Sequence, residues 1–139
     1  MHVRTPCVGL CSTTFGDLVC RGCKRWSHEI VGWNGFDDAQ KAQVVARLAQ
    51  QRDACVVAFV TIEDVACLRT QAQRLGSGAP ATDAECVLAL LRRGLRAGEF
   101  GGRSLLAGID ARDLFTRIEA ELLLRAQAEY EHSFRVPVR

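Results

Sequence analysis

Three stretches of the chain repeat apolar residues at the spacing that places them on one face of a helix. The first stretch begins at Asp37, which we expect to cap its helix with Gln40 as capping-box partner. The second begins at Thr82, with Glu85 in the same arrangement, and the third begins at Asp110. The apolar faces comprise Val44, Val45, Leu48 and Ala49 in the first helix, Cys86, Leu88, Ala89, Leu90, Leu91 and Leu95 in the second, and Leu114, Phe115, Ile118, Leu122, Leu123, Ala126 and Tyr130 in the third.

The segments between these helices are less regular. The apolar run at residues 55–60 fits either a buried helix or a short strand. A further helix is predicted over residues 61–75, capped at Thr61. Glycines predict a break at residues 76–81, and they also predict a flexible connector at residues 98–102, where Gly98 ends the second helix.

The N-terminal segment has a different character. Residues 1–26 keep neither a helical nor a strand period, and a short helix with Ser27 as its N-cap then follows and is interrupted at Gly32. We therefore predict a mainly α fold with two domains. Residues 1–36 form a segment with little regular structure, and residues 37–139 form a small bundle of four or five helices.

The composition excludes several classes of protein. Hydrophobic residues make up 48% of the chain, which argues against intrinsic disorder. The formal net charge of +2 is too balanced for a protein that coats nucleic acid or a membrane surface. The longest apolar run, residues 54–62, is too short to span a bilayer, and no apolar signal segment follows Met1. We therefore expect a soluble cytoplasmic protein.

Four of the seven cysteines lie within the first 23 residues, in the order C-x3-C-x8-C-x2-C. Cys7 and Cys11 form one close pair, and Cys20 and Cys23 form the other. Each pair encloses a glycine, and we expect Gly22 to adopt a left-handed conformation that directs backbone N–H groups at the Cys20 sulfur. Thiols stay reduced in the cytoplasm, so this clustering indicates metal coordination rather than disulfides. We predict that the four cysteines hold one metal centre, and that residues 1–36 are a metal-binding knuckle.

The spacing leaves the metal open between zinc and an iron–sulfur cluster. A tetrahedral site of four cysteines, with a wide loop between the pairs, suits zinc. An iron–sulfur cluster also takes four cysteines and tolerates varied spacing. Arg4, Arg21, Lys24 and Arg25 would neutralise the thiolates around either metal, so they do not discriminate. On spacing alone, zinc is favoured.

The residues around the cysteines also resemble a known family. The resemblance rests on PCVGLC at residues 6–11, CRGCKR at residues 20–25, Glu29-Ile30 followed by Trp33, DDAQK at residues 37–41 and ARL at residues 46–48. Over about residues 5–50 the chain is similar to the YdhL-like bacterial family, domain of unknown function 1289, whose members are commonly labelled predicted iron–sulfur proteins. The resemblance implies the same four ligands and no catalytic residue. Members usually have a smaller residue, often threonine, at the position of Trp26, so the cover over the site is expected to differ here.

Other residues are expected to have structural roles. Trp26, Trp33 and Phe15 are expected to shield the metal from water or to pack in the core. His28, five residues after Cys23, is expected to face solvent rather than to bind the metal. The remaining cysteines lie in apolar helical contexts and are expected in the core: Cys55, Cys67 and Cys86.

The expected function is that of a small cytoplasmic metal-binding protein, a non-catalytic redox or interaction module with a protein partner. No Ser/His/Asp or Cys/His grouping can be assembled, so no catalytic residue is predicted. The alternative is a zinc-knuckle nucleic-acid-binding protein, which would use Arg21, Lys24, Arg25 and Trp26.

Overall fold

The structure is a computed structural model that describes residues 3, 5–9, 11–76 and 82–134. Helices dominate the described residues, which confirms the mainly α fold. The α-helices are α1 (Ser27–Gly32), α2 (Asp38–Val57), α3 (Val65–Gln73), α4 (Asp83–Arg92) and α5 (Ala111–Phe134); the strands are β1 (Val60–Ile62) and β2 (Gly102–Ser104); short 3₁₀-helices cover Ser12–Phe15, Trp33–Gly35 and Ala97–Phe100. None of the described helices is both long and apolar enough to cross a bilayer.

The chain divides into two compact units. The N-terminal unit comprises Met1–Gln51 and Leu122–Arg139, and the central unit comprises Arg52–Glu121. The boundaries fall within α2 and α5, so each of these helices supplies residues to both units. The predicted knuckle over residues 1–36 stays a prediction, and the predicted break at residues 76–81 lies mostly outside the described residues.

The helix starts follow the capping residues of the sequence. The N–H of Gln40 donates to Asp37 Oδ1 at 2.8 Å, and the N–H of Asp37 donates to Gln40 Oε1 at 2.9 Å. Thr82 Oγ1 accepts the N–H of Glu85 at 3.2 Å, and Asp110 caps α5 in the same way. These bonds satisfy N–H groups that have no partner inside the helix, and they confirm the three predicted starts.

Two apolar clusters hold the N-terminal unit together. The first consists of Val19, Trp26 and Ala126, with Leu123 and Tyr130 packed against it, and the second consists of Trp33, Val44 and Leu48, with Val3, Phe36 and Val45 packed against it. The prediction that Trp26 and Trp33 are buried is therefore confirmed. The prediction for Phe15 is wrong, because this ring is 86% exposed at the end of a 3₁₀-helix in the loop between the cysteine pairs.

The central unit contains a small antiparallel sheet. Val60 lies opposite Ser104, and Ile62 lies opposite Gly102. The apolar run at residues 55–60, which fitted either a helix or a strand, contributes to both: α2 continues to Val57, and β1 begins at Val60. The buried core of this unit comprises Cys55, Val56, Val60, Leu68, Ala72, Ala84, Cys86, Val87, Leu88, Leu90, Leu91, Ala97, Phe100, Ala111, Leu114 and Ile118.

Two predicted boundaries in this unit need correction. The cap of α3 is Asp64, whose Oδ1 accepts the N–H of Cys67 at 3.0 Å, whereas Thr61 lies in β1. Helix α4 ends at Arg92 rather than at Gly98, because Gly94 takes a left-handed conformation with φ 92° that terminates the helix earlier.

Residues 98–102 are not a flexible connector. Phe100 is fully buried, and the segment runs from a 3₁₀-helix directly into β2. The carbonyl oxygen of Gly101 accepts the N–H groups of Glu63 and Asp64 at 2.8 and 2.9 Å. Gly101 has φ 79°, and a Cβ at this position would lie 2.5 Å from the Asp64 carbonyl oxygen. The glycine therefore permits a close approach of two backbone segments.

Candidate metal centre

Cys20 and Cys23 lie at the tip of a short hairpin in the N-terminal unit. The base of the hairpin is the antiparallel bridge between Val19 and Trp26, and the N–H of Cys20 donates to the carbonyl oxygen of Arg25 at 2.9 Å. The two cysteines are 1% and 7% exposed. The hairpin therefore presents a C-x2-C pair that is fixed and largely removed from solvent.

Lys24 closes this turn. Its N–H donates to the Cys20 carbonyl oxygen at 2.9 Å, and its Nζ donates to the carbonyl oxygens of Arg21 and Gly22 at 2.7 and 3.0 Å. Lys24 rather than Gly22 has the left-handed conformation, with φ 68°, so the expectation for Gly22 is wrong. A residue with a Cβ is disfavoured there by about 1–2 kcal/mol, which the two bonds of the ammonium group offset.

The Cys20 sulfur has several hydrogen-bond donors around it. Burial raises the pKa of the Cys20 thiol, but the backbone N–H groups of Cys23, Ser12 and Gly22 lower it, to about 7 overall. Backbone N–H groups aimed at a sulfur favour its anionic form, which is the form that binds metals. The backbone N–H groups that we expected to face the Cys20 sulfur from its own turn are thus present. The N–H of Ser12, the residue that follows Cys11, is a further donor.

Ser12 connects the two halves of the quartet. Its N–H faces the Cys20 sulfur, and its hydroxyl accepts the N–H of Arg21 at 2.8 Å. Cys11 is the next residue back along the chain, and its Sγ lies 3.1 Å from Thr13 Oγ1. The hydroxyl groups of Thr13 and Thr14 lower the pKa of Cys11. The structure therefore brings the Cys11 segment against the C-x2-C turn.

Cys7 lies farther out. It is exposed, and its Sγ accepts the N–H of Gly9 at 3.4 Å in a turn where Gly9 has φ 91°. Among the described residues, no three His, Cys, Asp or Glu side chains are placed to hold one metal ion. The structure thus brings Cys20 and Cys23 together and leaves Cys7 on the surface.

Arg25 is a buried cation beside this pair. Only 4% of the residue is exposed, its Nε donates to the Cys23 sulfur at 3.2 Å, and its guanidinium lies 4.9 Å from the centre of the Trp33 ring. Burial raises the pKa of the Cys23 thiol, and the hydrogen bonds and charge of Arg25 act in the opposite direction. A guanidinium remains protonated in proteins, so Arg25 is a permanent positive charge next to the sulfur.

Glu29 and Arg47 form a buried ion pair next to the hairpin, and the sequence did not predict it. The carboxylate of Glu29 accepts the N–H of Trp26 at 2.8 Å, and it accepts two bonds from Arg47 of α2 at 2.5 and 2.7 Å. The N-cap of α1 is therefore Trp26 rather than Ser27. A glutamate three residues after Trp26 is a capping-box signal, although the cap residue itself is atypical.

The sequence assigned the remaining candidate residues roles other than metal binding. His28 is exposed, as predicted. Cys55 and Cys86 are fully buried in the central unit, which confirms their core role, whereas Cys67 is only partly buried. Arg21 is exposed and forms a salt bridge with Asp17 at 3.3 Å.

The comparison with known proteins concerns this same part of the chain. Residues 5–52 match the model of a family described as a protein of unknown function (DUF1289), which confirms the resemblance to domain of unknown function 1289 over about residues 5–50. The matched segment includes all four clustered cysteines, Arg25, and both partners of the Glu29–Arg47 pair. Neither the curated proteins nor the solved structures give a match.

Proposed function

We propose that this chain is a metal-binding protein in which Cys7, Cys11, Cys20 and Cys23 hold one metal centre. The proposed role is that of a non-catalytic redox or protein-interaction module. One observation carries the proposal: Cys20 and Cys23 are both buried in one hydrogen-bonded turn, and the hydroxyl of Ser12, next to Cys11, accepts the N–H of Arg21 in that turn at 2.8 Å.

The donors around the two buried sulfurs support this proposal. A neutral thiol is a weak hydrogen-bond acceptor, whereas a thiolate accepts several bonds strongly. Three N–H groups at Cys20 and a guanidinium at Cys23 therefore match a pair of thiolates. Burial raises the pKa of Cys23, and a bound metal ion would act in the opposite direction, as Arg25 does.

The first cysteine pair would complete the site on binding. Cys7 is exposed and Cys11 is partly buried, and both lie on a loop that turns through Gly9. Binding of a metal is commonly coupled to ordering of its ligands, since the bond energy offsets the entropy lost by the loop. In this proposal, the first pair closes onto a second pair that is already in place.

The surface beside the cysteines supports an interaction role. Phe15 is exposed in the loop between the pairs, and Leu18 is partly exposed. Leu18 also lines a cleft of about 440 Å³, together with Asp17, Tyr130 and Glu131. Exposed aromatic side chains beside a cleft are common anchors at protein interfaces, so we propose a protein as the partner.

The nucleic-acid alternative has less support. It would use Arg21, Lys24, Arg25 and Trp26, of which only Arg21 is exposed. The ammonium group of Lys24 binds backbone carbonyls, and the guanidinium of Arg25 binds a cysteine sulfur, so neither is directed at a phosphate. We therefore favour the metal-binding module.

The test is metal analysis of the full chain after anaerobic purification, with Cys20→Ser compared against Cys86→Ala. We expect Cys20→Ser to lose most of the bound metal, because it removes the best-supported ligand. We expect Cys86→Ala to retain the wild-type content, because Cys86 is buried in the central unit. Full metal occupancy in Cys20→Ser, or an equal loss in both variants, would contradict the proposal.

A further inference from the structure

A cleft in the N-terminal unit lies beside the loop that joins the two cysteine pairs. One wall is the end of this loop, residues 16–19, and the other wall is formed by residues 127, 128, 130 and 131 of α5. The volume of about 440 Å³ is in the lower part of the range of about 300–1,000 Å³ that is usual for ligand pockets. The cleft therefore has room for a few side chains of a partner rather than for a large surface.

The base of the cleft is held in place by contacts from both walls. Val19 pairs with Trp26 in the antiparallel bridge, and the carbonyl oxygen of Leu18 accepts the N–H of Ser27 at 2.8 Å. Tyr130 of the opposite wall packs edge-to-face on Trp26, with the ring centres 5.9 Å apart. Because both walls pack on the same tryptophan, a partner would bind a cleft that is already formed, which lowers the entropy cost of binding.

Two apolar side chains are exposed at or next to this cleft. Leu18 is 44% exposed and lines the cleft, and Phe15 is 86% exposed and directly precedes the lining residue Gly16. Covering these side chains would remove apolar surface from water, which is favourable. The cleft therefore suits a partner that contributes an apolar side chain.

The charged residues that line the cleft are acidic. Asp17 lies on the loop wall, Glu131 lies in the last turn of α5, and none of the described lining residues is basic. The C-terminal end of a helix also carries a partial negative charge, which adds to the charge of Glu131. Charge complementarity therefore favours a cationic partner and disfavours an anionic one.

An ion pair within the chain shows which cation the loop wall accepts. The Nε of Arg21 donates to Asp17 Oδ2 at 3.3 Å, and the two side chains are 65% and 39% exposed. An exposed pair of this kind contributes little to stability. A carboxylate has acceptor sites for more than one guanidinium, so an arginine of a partner can join Arg21 at Asp17 or displace it.

We infer that this cleft binds a peptide segment of a protein partner in which an apolar side chain lies next to an arginine. The apolar side chain packs on Leu18 and Phe15, and the guanidinium binds the acidic side chains of the cleft. This inference rests on the interaction role proposed above and names the chemistry of the partner.

The test uses the full chain to select binders from a displayed library of random linear peptides. We expect the selected sequences to share an arginine next to an aliphatic or aromatic residue. A selected peptide is then synthesised, and its affinity is measured by fluorescence polarisation. Replacement of its arginine by glutamate should lower the affinity about 10-fold or more, because like charges would then meet in the cleft. Added salt should weaken the binding of the original peptide.

Apolar variants of the chain locate the binding surface. We expect Phe15→Ser to lower the affinity for the selected peptide about 10-fold, because it removes the exposed aromatic anchor. Val31→Ser is the matched control. Val31 is 87% exposed, but it lies in α1 and does not line the cleft, so this variant should bind the peptide like the wild type.

Charge variants test the role of the carboxylate. We expect Asp17→Asn to lower the affinity about 5-fold and Arg21→Met to raise it about 2-fold, because Arg21 competes with the peptide for Asp17. A purely structural role of this ion pair would give the same effect in both variants. Glu63→Gln is the control, because it removes the acidic partner of another exposed pair, with Arg103 in the central unit.

Metal analysis of the same samples separates the possible failures. Selected peptides without a basic residue, or equal losses in Phe15→Ser and Val31→Ser, would overturn the inference and leave an interaction role standing. Self-association of the chain that Phe15→Ser abolishes would assign the surface to a second copy and would also overturn it. A chain that holds metal but selects no peptide would overturn the inference and the interaction role, but not the metal centre. Peptide binding as expected in a chain without metal would contradict only the metal centre.

Discussion

Arg47 of α2 binds Glu29 of α1 through two N–H···O bonds, while its guanidinium carbon lies over a tryptophan, 3.9 Å from the centre of the Trp26 ring. Glu29 is buried, and the same carboxylate accepts the N–H of Trp26. The pair therefore joins α2 to the residue that ends the cysteine hairpin. Because Glu29 has little contact with water, Arg47 replaces water as the main partner of its carboxylate.

Replacement of Arg47 should destabilise the N-terminal unit. We expect Arg47→Leu to cost about 3 kcal/mol or more, because it leaves a buried carboxylate without its cation. The double variant Glu29→Gln, Arg47→Leu should recover part of this loss, because the amide oxygen can still accept the N–H of Trp26. Both tryptophans lie in the N-terminal unit, so denaturation followed by tryptophan fluorescence measures this unit. Equal losses in the single and double variants would show that the ion pair is not the cause.

Arg25 should affect metal retention without being a ligand. Arg25→Met removes the N–H bond to the Cys23 sulfur and the permanent charge beside it, and we expect the metal affinity to fall roughly 10-fold or more. Arg21→Met is the matched control, because Arg21 is exposed and pairs only weakly with Asp17 on the surface. Competition with a chelator measures both affinities. An equal effect of the two variants would indicate a general charge effect rather than the specific bond.

Gly101 should not tolerate a side chain. We expect Gly101→Ala to destabilise the central unit by about 2–4 kcal/mol, because its left-handed backbone and its contact with the Asp64 carbonyl leave no room for a methyl group. Gly98→Ala is the control, since a Cβ there meets no atom within 4 Å and the backbone is not left-handed. Thermal unfolding followed by circular dichroism should place Gly98→Ala at or slightly above the wild type. Similar melting temperatures for both variants would contradict the close-approach explanation.

Cys86 should make stability depend on pH in the alkaline range. Burial raises the pKa of its thiol, so the folded central unit disfavours the thiolate more than the unfolded chain does. The neutral Cys86 thiol contributes its full stabilisation of the folded state below the pKa that it has in the unfolded chain, about 8.5. This contribution is lost as the pH rises through the higher pKa that the thiol has in the folded chain. Urea unfolding of the wild type and of Cys86→Ala, from about pH 7 to about pH 10, should show the two free energies of unfolding converging. Parallel curves would mean that Cys86 ionises equally in both states.

The starts of the helices could be predicted because capping is local. Asp37 with Gln40, and Thr82 with Glu85, form bonds across one turn of chain, and those bonds depend on little else. The sequence did not predict the end of α4 correctly. Several glycines follow it, and only the packing of the whole unit decides which one leaves the helix.

Contacts between distant segments explain the remaining differences. Gly101 belongs to a glycine-rich run that is typical of loops, yet its backbone meets Asp64 from another part of the chain. In the sequence, Arg47 looks like any other polar helix residue. Its contacts with Trp26 and Glu29 are seen only in the folded structure. The candidate site likewise has one feature that the local sequence predicts and one that depends on contacts between distant residues. The spacing of the cysteines indicates which side chains belong together, whereas the buried position of Arg25 depends on Trp33 lying beneath it.

The first apolar cluster of the N-terminal unit has a consequence for the order of events during synthesis. The four clustered cysteines are synthesised before Trp26, but Trp26 packs on Ala126 and Tyr130, which follow it in the chain by about 100 residues. At 5–20 residues per second, the tryptophan waits on the order of 5–20 s for these partners. The sulfurs thus become available to an ion well before the hydrophobic packing behind them is complete. The proposed metal centre would therefore form on the nascent chain before α5 is made.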